Sequence, residues 1–124
     1  MPVPILKQGD ILIASVQEAM SDSDLALLRD DLTSRIGEFH SLGVMIDVST
    51  VDVLDSFATR TLLDIAENSR LRGAKMVIVG IQPPVAIAMV KLGLILDGIP
   101  TAHDLEDGIE LMRRNVGKSR QRDR

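Results

Sequence analysis

Two short apolar runs separated by one helix-length segment constrain this chain more than any other feature. Val44-Met45-Ile46, ending on Asp47, and Lys75 to Val79 are nearly continuous in apolar character, as strands are when a parallel sheet is covered on both faces. Between them, Ala58, Leu62, Ile65 and Ala66 fall on one side of a helical repeat, with Arg60, Asp64 and Glu67 elsewhere, the pattern of a helix with one buried face. A helix from about Ser56 to Leu71, stopped at Gly73, therefore joins two strands, and such a unit closes as a right-handed parallel crossover. The chain reads as α/β.

The flanking segments extend that unit. Val3 to Leu6 and Ile11 to Val16 are short β-rich runs separated by Lys7-Gln8-Gly9-Asp10, which predicts an N-terminal hairpin. Ser21-Asp22-Ser23-Asp24 supplies capping oxygens for a helix whose apolar stripe is Leu25, Leu28, Leu32, Ile36 and Phe39, ending near His40. Pro83-Pro84 opens a third helix, apolar nearly all round with Lys91 its only charge. That helix is either deeply buried or carries an exposed contact patch. Ile99 to Ala102 reads as a short edge strand, and Asp104 caps a last helix with Leu105, Ile109, Met112 and Val116 inward. The expectation is a single domain over 1–116 with a mixed, mostly parallel sheet and about four helices. Residues 117–124 read as a basic, disordered C-terminal tail.

Composition narrows the function. Phe39 and Phe57 are the only aromatics, which argues against binding nucleic acid through stacked bases. The chain has no cysteine, so thiol nucleophiles and thiolate metal sites are excluded together. His40 and His103 have no second histidine at ligand spacing, and no Gly-rich phosphate loop or nucleophile elbow occurs. Neither metal nor cofactor is expected, and the chain reads as a non-enzyme. No apolar run approaches the roughly 20 residues needed to span a bilayer, so a soluble, cytoplasmic protein without membrane insertion is expected. Residues 1–112 carry about −9 by counting, while Arg113, Arg114, Lys118, Arg120, Arg122 and Arg124 make the end basic. That end either touches a polyanion or is simply solvated.

The segment Asp47 to Phe57 holds the candidate site. Asp47, Asp52 and Asp55 stand with Ser49, Thr50 and Ser56 in a loop running from a buried strand into a helix, where open α/β sheets place their sites. Ser56 has two readings here. Its oxygen can cap the first turn, or its hydroxyl can accept a phosphate where the helix dipole favours an anion. Asp55 either orients the serine or serves the dipole, Asp47 braces the loop, and Phe57 is a core anchor or a partner contact.

These residues resemble the STAS domain family (sulfate transporter and anti-sigma factor antagonist), in which a strand ending in Asp leads to an Asp-Ser pair opening a helix. Asp47, Asp55 and Ser56 match that pattern. Pro4-Ile5-Leu6-Lys7, Gly43 to Asp47, Arg72-Gly73-Ala74-Lys75, Gly80 to Pro83 and Thr101 to Glu106 extend the likeness to the stressosome scaffold subtype, as does Phe57 in place of a second serine. The resemblance implies a non-catalytic scaffold that binds a serine kinase of the switch-protein class and releases it when Ser56 is phosphorylated. It also implies a resetting phosphatase, paralogous STAS-domain scaffold proteins as partners, and self-association. Asp47, Asp52, Asp55 and Phe57 would support the phosphosite or meet the partner. A rival within the family is an adaptor subunit of a membrane-transport or lipid-transport complex. A phospho-aspartate receiver domain, the rival outside it, lacks the acidic pair that would hold Mg²⁺, since Val16-Gln17-Glu18 supplies one acid.

Overall fold

The computed structural model describes residues 3–18, 20–93, 96 and 98–122, with residues 115–122 described by their backbone. The hairpin forms as β1 (Ile5–Gln8) and β2 (Ile11–Ser15), paired antiparallel with Leu6 opposite Ile13. Helix α1 (Asp22–Phe39) follows, then β3 (Gly43–Asp47), α2 (Ser56–Leu71), β4 (Lys75–Val79), α3 (Pro83–Lys91), the two-residue β5 (Thr101–Ala102) and α4 (Leu105–Arg122). Strand order follows chain order, β1-β2-β3-β4-β5, and every pairing after the hairpin is parallel. This is the mixed, mostly parallel sheet and four-helix α/β domain that the sequence predicts.

Alternation along the strands divides the core between the two sheet faces. Val44 and Ile46 of β3 and Met76 and Ile78 of β4 pack with Leu28, Leu32 and Ile36 of α1 and Ala58, Leu62 and Ile65 of α2. Met45, Val77 and Val79 point the other way, to Met112 of α4, with Ile109 partly buried beside them. Helix α4 sits close on the sheet because Gly108 leaves no side chain: a Cβ there would lie 2.7 Å from a Val79 methyl carbon. Helix α1 begins on a full capping box, Ser21 Oγ accepting from the Asp24 amide at 3.1 Å and Asp24 Oδ2 from the Ser21 amide at 3.0 Å.

Two expectations change, and one left open is resolved. Phe39 and Leu105, assigned to buried stripes, are 38% and 40% exposed, because each lies at the end of its helix beyond the sheet that buries the rest. Of the two readings open for helix α3, the exposed patch is the one observed: Val85 and Met89 hold it to the core while Ile87, Val90 and Leu92 face outward. Helix α4 continues to Arg122, past the boundary at 116 suggested by composition. The side chain of Val116 and residues 123–124 lie outside the described residues.

Candidate functional site

The parallel register brings the site together. Ser15 pairs with Asp47, and Asp47 with Val79, so the segments leaving β2, β3 and β4 emerge side by side at one edge of the sheet. Backbone bonds lock them there, from the Val16 amide to the Asp47 carbonyl at 2.8 Å and from the Val48 amide to the Val79 carbonyl at 2.9 Å. The loop itself is pinned by burial of Val48, Val51 and Leu54. Val53 between them is 74% exposed, so the loop presents an apolar knob on a fixed base.

Polar contacts complete the bracing. Asp47 Oδ1 accepts the Ser49 amide at 2.9 Å, one link within the turn. Gln82, the residue before α3, donates its side-chain amide to the Ser49 carbonyl at 2.6 Å. Gly80 makes the approach possible: its φ is +83°, and a Cβ on it would lie 2.7 Å from the Ser49 Cβ. Ser49 and Thr50 are exposed on this braced turn, and Thr50 Oγ1 reaches the Val16 carbonyl at 3.4 Å.

Ser56 is not the cap that the sequence allows. Asp55 takes that position with extended backbone, its Oδ1 accepting the Ala58 amide at 2.8 Å, while its carbonyl takes the Thr59 amide at 2.9 Å. Ser56 becomes the first helical residue, ahead of the intrahelical ladder, where backbone N–H groups have no helical acceptor. Among the described residues no hydrogen bond engages its hydroxyl. The side chain is exposed. Phe57 beside it is 39% exposed, half at the surface; its carbonyl accepts the Thr61 hydroxyl at 2.8 Å.

A residue missed in the sequence joins from the β2–α1 connection. Glu18 lies against Asp52, whose hydrogen bond to it, and then whose charge, hold the Glu18 carboxyl above the ordinary glutamate value. The signal was available in principle, since Glu18 follows β2 as Asp52 follows β3, on adjacent parallel strands. Folded Glu18 keeps its proton more tightly than unfolded Glu18. Its contribution to stability is thus complete below the ordinary glutamate value and lost as pH rises through the raised one. Thermal unfolding of Glu18→Gln across the acidic range should show the wild type losing stability relative to the variant as pH rises; parallel curves would remove the pair as an interaction. Glu18, Asp22 and Asp55 edge a cleft of about 100 Å³ over Leu25 and Ala58. Among the described residues no group of three or more His, Cys, Asp or Glu is arranged to hold a metal ion. No helix there is long and apolar enough to cross a membrane.

The molecule is a small α/β domain whose acid-capped helix presents an exposed serine at the end of a mostly parallel sheet, and comparison with known proteins places it. The STAS domain model matches residues 3–108, and the chain belongs to that family. It resembles a serine-to-glutamate variant of RsbS from Moorella thermoacetica at 34% identity and a TM-score of 0.80, over 90% of this chain and 95% of that one. A structure described as the molecular architecture of the stressosome, a signal integration and transduction hub, matches at 34% identity and a TM-score of 0.78, over 90% and 96%. The RsbT co-antagonist protein RsbRA of Bacillus subtilis is 31% identical over 83 residues, 67% of this chain. The chain spans 30% of that relative's length. Within the family its likeness is to the anti-sigma factor antagonist type, with RsbS and the stressosome among its structural neighbours.

Proposed function

We propose that this protein is a phosphorylatable scaffold and antagonist of a cytoplasmic, stressosome-like complex, which binds a serine kinase of the switch-protein class and releases it when Ser56 is phosphorylated. The observation that carries this reading is the division of labour at the start of α2. Asp55 performs the capping, so the Ser56 hydroxyl is exposed and free for chemistry. In the transfer, Ser56 Oγ attacks the terminal phosphorus of the kinase's ATP and its proton passes to a base on the kinase. The bond from that phosphorus to the ADP oxygen breaks, and ADP leaves.

The product explains release. A phosphate adds about −1.5 to −2 charges within a loop that already holds Asp52 and Asp55 and faces Glu18. The positive end of α2 tolerates that anion on the protein's own side, so the penalty falls on whatever docks against the surface. Asp47 fixes the loop, Asp55 orients the start of the helix, and Asp52 and the half-exposed Phe57 meet the kinase. A phosphatase resets the state, and paralogous STAS-domain scaffold proteins share the complex. Similarity to a protein named as a co-antagonist of RsbT supports an antagonist role directed at a protein partner.

Incubation with the cognate kinase and ATP, followed by phosphopeptide mass spectrometry, tests the assignment. One phosphate on Ser56 is the expected result. Phosphate on Ser49 or Thr50 with Ser56 unmodified would move the site to the braced turn.

A further inference from the structure

We infer that the open edge at the start of β4 is a binding site for a short, extended peptide segment carrying an acidic side chain, which adds to the sheet ahead of β5. Strand β5 covers little of that edge, since its two residues pair with Ile78 and Val79. The ladder there runs from the Ile78 amide to the Pro100 carbonyl and from the Gly80 amide to the Ala102 carbonyl, each at 3.0 Å. Along a strand the backbone groups of every second residue turn to the same side, so Met76 presents its N–H and C=O to this edge as Ile78 does. One step further back, the parallel ladder would take the donor for the Met76 carbonyl from residue 100. That residue is a proline and has no N–H to give. Among the described residues neither backbone group of Met76 has a hydrogen-bond partner on this side.

Space for a partner lies beside these groups. A cleft of about 470 Å³ runs against Met76, between Leu63, Ala66 and Arg70 of α2 and the Ile99-Pro100 segment, a volume typical of ligand sites. Its chemistry selects the occupant. An anion alone would satisfy the Met76 N–H but oppose the carbonyl, and a cation would do the reverse. A peptide residue set antiparallel to Met76 supplies acceptor and donor together. From Ala74 to Met76 the edge has room for about three residues, about 10 Å at 3.3 Å per residue, and Leu63, Ala66 and Ile99 offer apolar wall to their side chains. Charge favours an acid among them. Residues 1–112 carry about −9 by counting, yet this cleft is lined by Arg70, Lys75 and a single acid, Glu67. Glu67 engages Arg70 at 2.6 Å, which leaves Lys75 without an ion-pair partner among the described residues.

Met76 stands at the end of β4 away from the phosphosite loop, so this binding is separate from the function proposed above and its test needs neither kinase nor ATP. Titration of the isotope-labelled protein with the capped tripeptide acetyl-Val-Glu-Val-amide, followed by amide NMR, should give saturable shifts at Met76 and Ile99 while Ser49 and Ser56 stay in place. Methylating the backbone nitrogens of the peptide removes its donors and should weaken binding at least five-fold; replacing its glutamate by lysine should do the same through Lys75. Two variants act on the site from the protein's side. Pro100→Ala supplies the missing N–H and lets β5 extend over Met76, and Ala66→Leu fills the cleft from α2. Each should weaken binding at least five-fold with unchanged circular dichroism. No saturable shift at Met76, binding undiminished by methylation, or binding undiminished in both variants would overturn the site, and equal binding of the lysine peptide would overturn its preference for an acid.

Discussion

Ser56→Ala is expected to abolish phosphoryl transfer from the cognate kinase and to leave thermal stability nearly unchanged. The two halves of this expectation come from one feature. Had Ser56 been the cap of α2, its removal would cost about 1 kcal/mol. Asp55 holds that position, with its carboxylate on the Ala58 amide at 2.8 Å. Ser56 is an exposed first helical residue, where alanine is the better helix former and the net change stays within about 0.5 kcal/mol. Asp55→Ala is the complementary variant: it should lose the cap, about 1 kcal/mol or roughly 3–6 °C in Tm for a domain of this size, while retaining a hydroxyl to phosphorylate. Calorimetry beside a kinase assay reads both effects. A Ser56→Ala protein that unfolds several degrees early would mean that the hydroxyl serves the helix after all, and one that is still labelled would place the phosphate elsewhere. Ser56→Asp should bind the kinase more weakly, since a carboxylate there is compatible with the helix dipole but not with an acidic docking surface.

Period and punctuation carried most of the fold. The bounds of α2 at Ser56 and Leu71, the strand Lys75–Val79 and the capping box on α1 all follow from local chemistry that the tertiary structure does not override. The capping residue of α2 was harder to read, because Asp55 and Ser56 are adjacent and both suit the role. The apolar phase set by Ala58, Leu62 and Ile65 is the same for either. Phe39 and Leu105 show a related limit: periodicity marks a face but not where the partner surface ends. Helix α3 shows another, since an apolar helix reads alike whether covered on every side or on one.

The site was legible as a loop and illegible as an assembly of three connections. Asp47, Asp52, Asp55 and Ser56 lie within one segment, and their concentration marks it. Glu18 and Gln82 reach it from the connections after β2 and β4, Gln82 across 33 positions to the Ser49 carbonyl. Such partners depend on the order and register of parallel strands. A strand's apolar run does not encode its neighbour, so no local pattern announces them.

Gly80→Ala is expected to damage both stability and phosphorylation, although it touches neither the core nor Ser56. At φ +83° an alanine pays about 1–2 kcal/mol for left-handed backbone, and its Cβ would stand 2.7 Å from the Ser49 Cβ and 3.1 Å from the Ser49 Cα. Those atoms are backbone or next to it, so no flexible side chain can swing aside. Gly80 cannot withdraw freely either, because its amide bonds the Ala102 carbonyl of β5 at 3.0 Å. The displacement must pass into the Ser49 turn, stretching its bonds to Asp47 and Gln82, at a further cost of about 1–3 kcal/mol. Reduced freedom of the unfolded chain returns about 0.4–1 kcal/mol. The net loss of about 1–5 kcal/mol, centred near 3, corresponds to a fall of roughly 10 °C in Tm, with slower phosphorylation of a serine that is itself intact. Gly73→Ala separates the two causes, since Gly73 has a φ of +84° but nothing within 4 Å of a Cβ. It should lose only the backbone part and keep the wild-type phosphorylation rate. If the two variants melt together and are phosphorylated alike, the packing of Gly80 against Ser49 does not govern the loop. A gap between them shows that the end of β4 holds the loop before Ser56 in place.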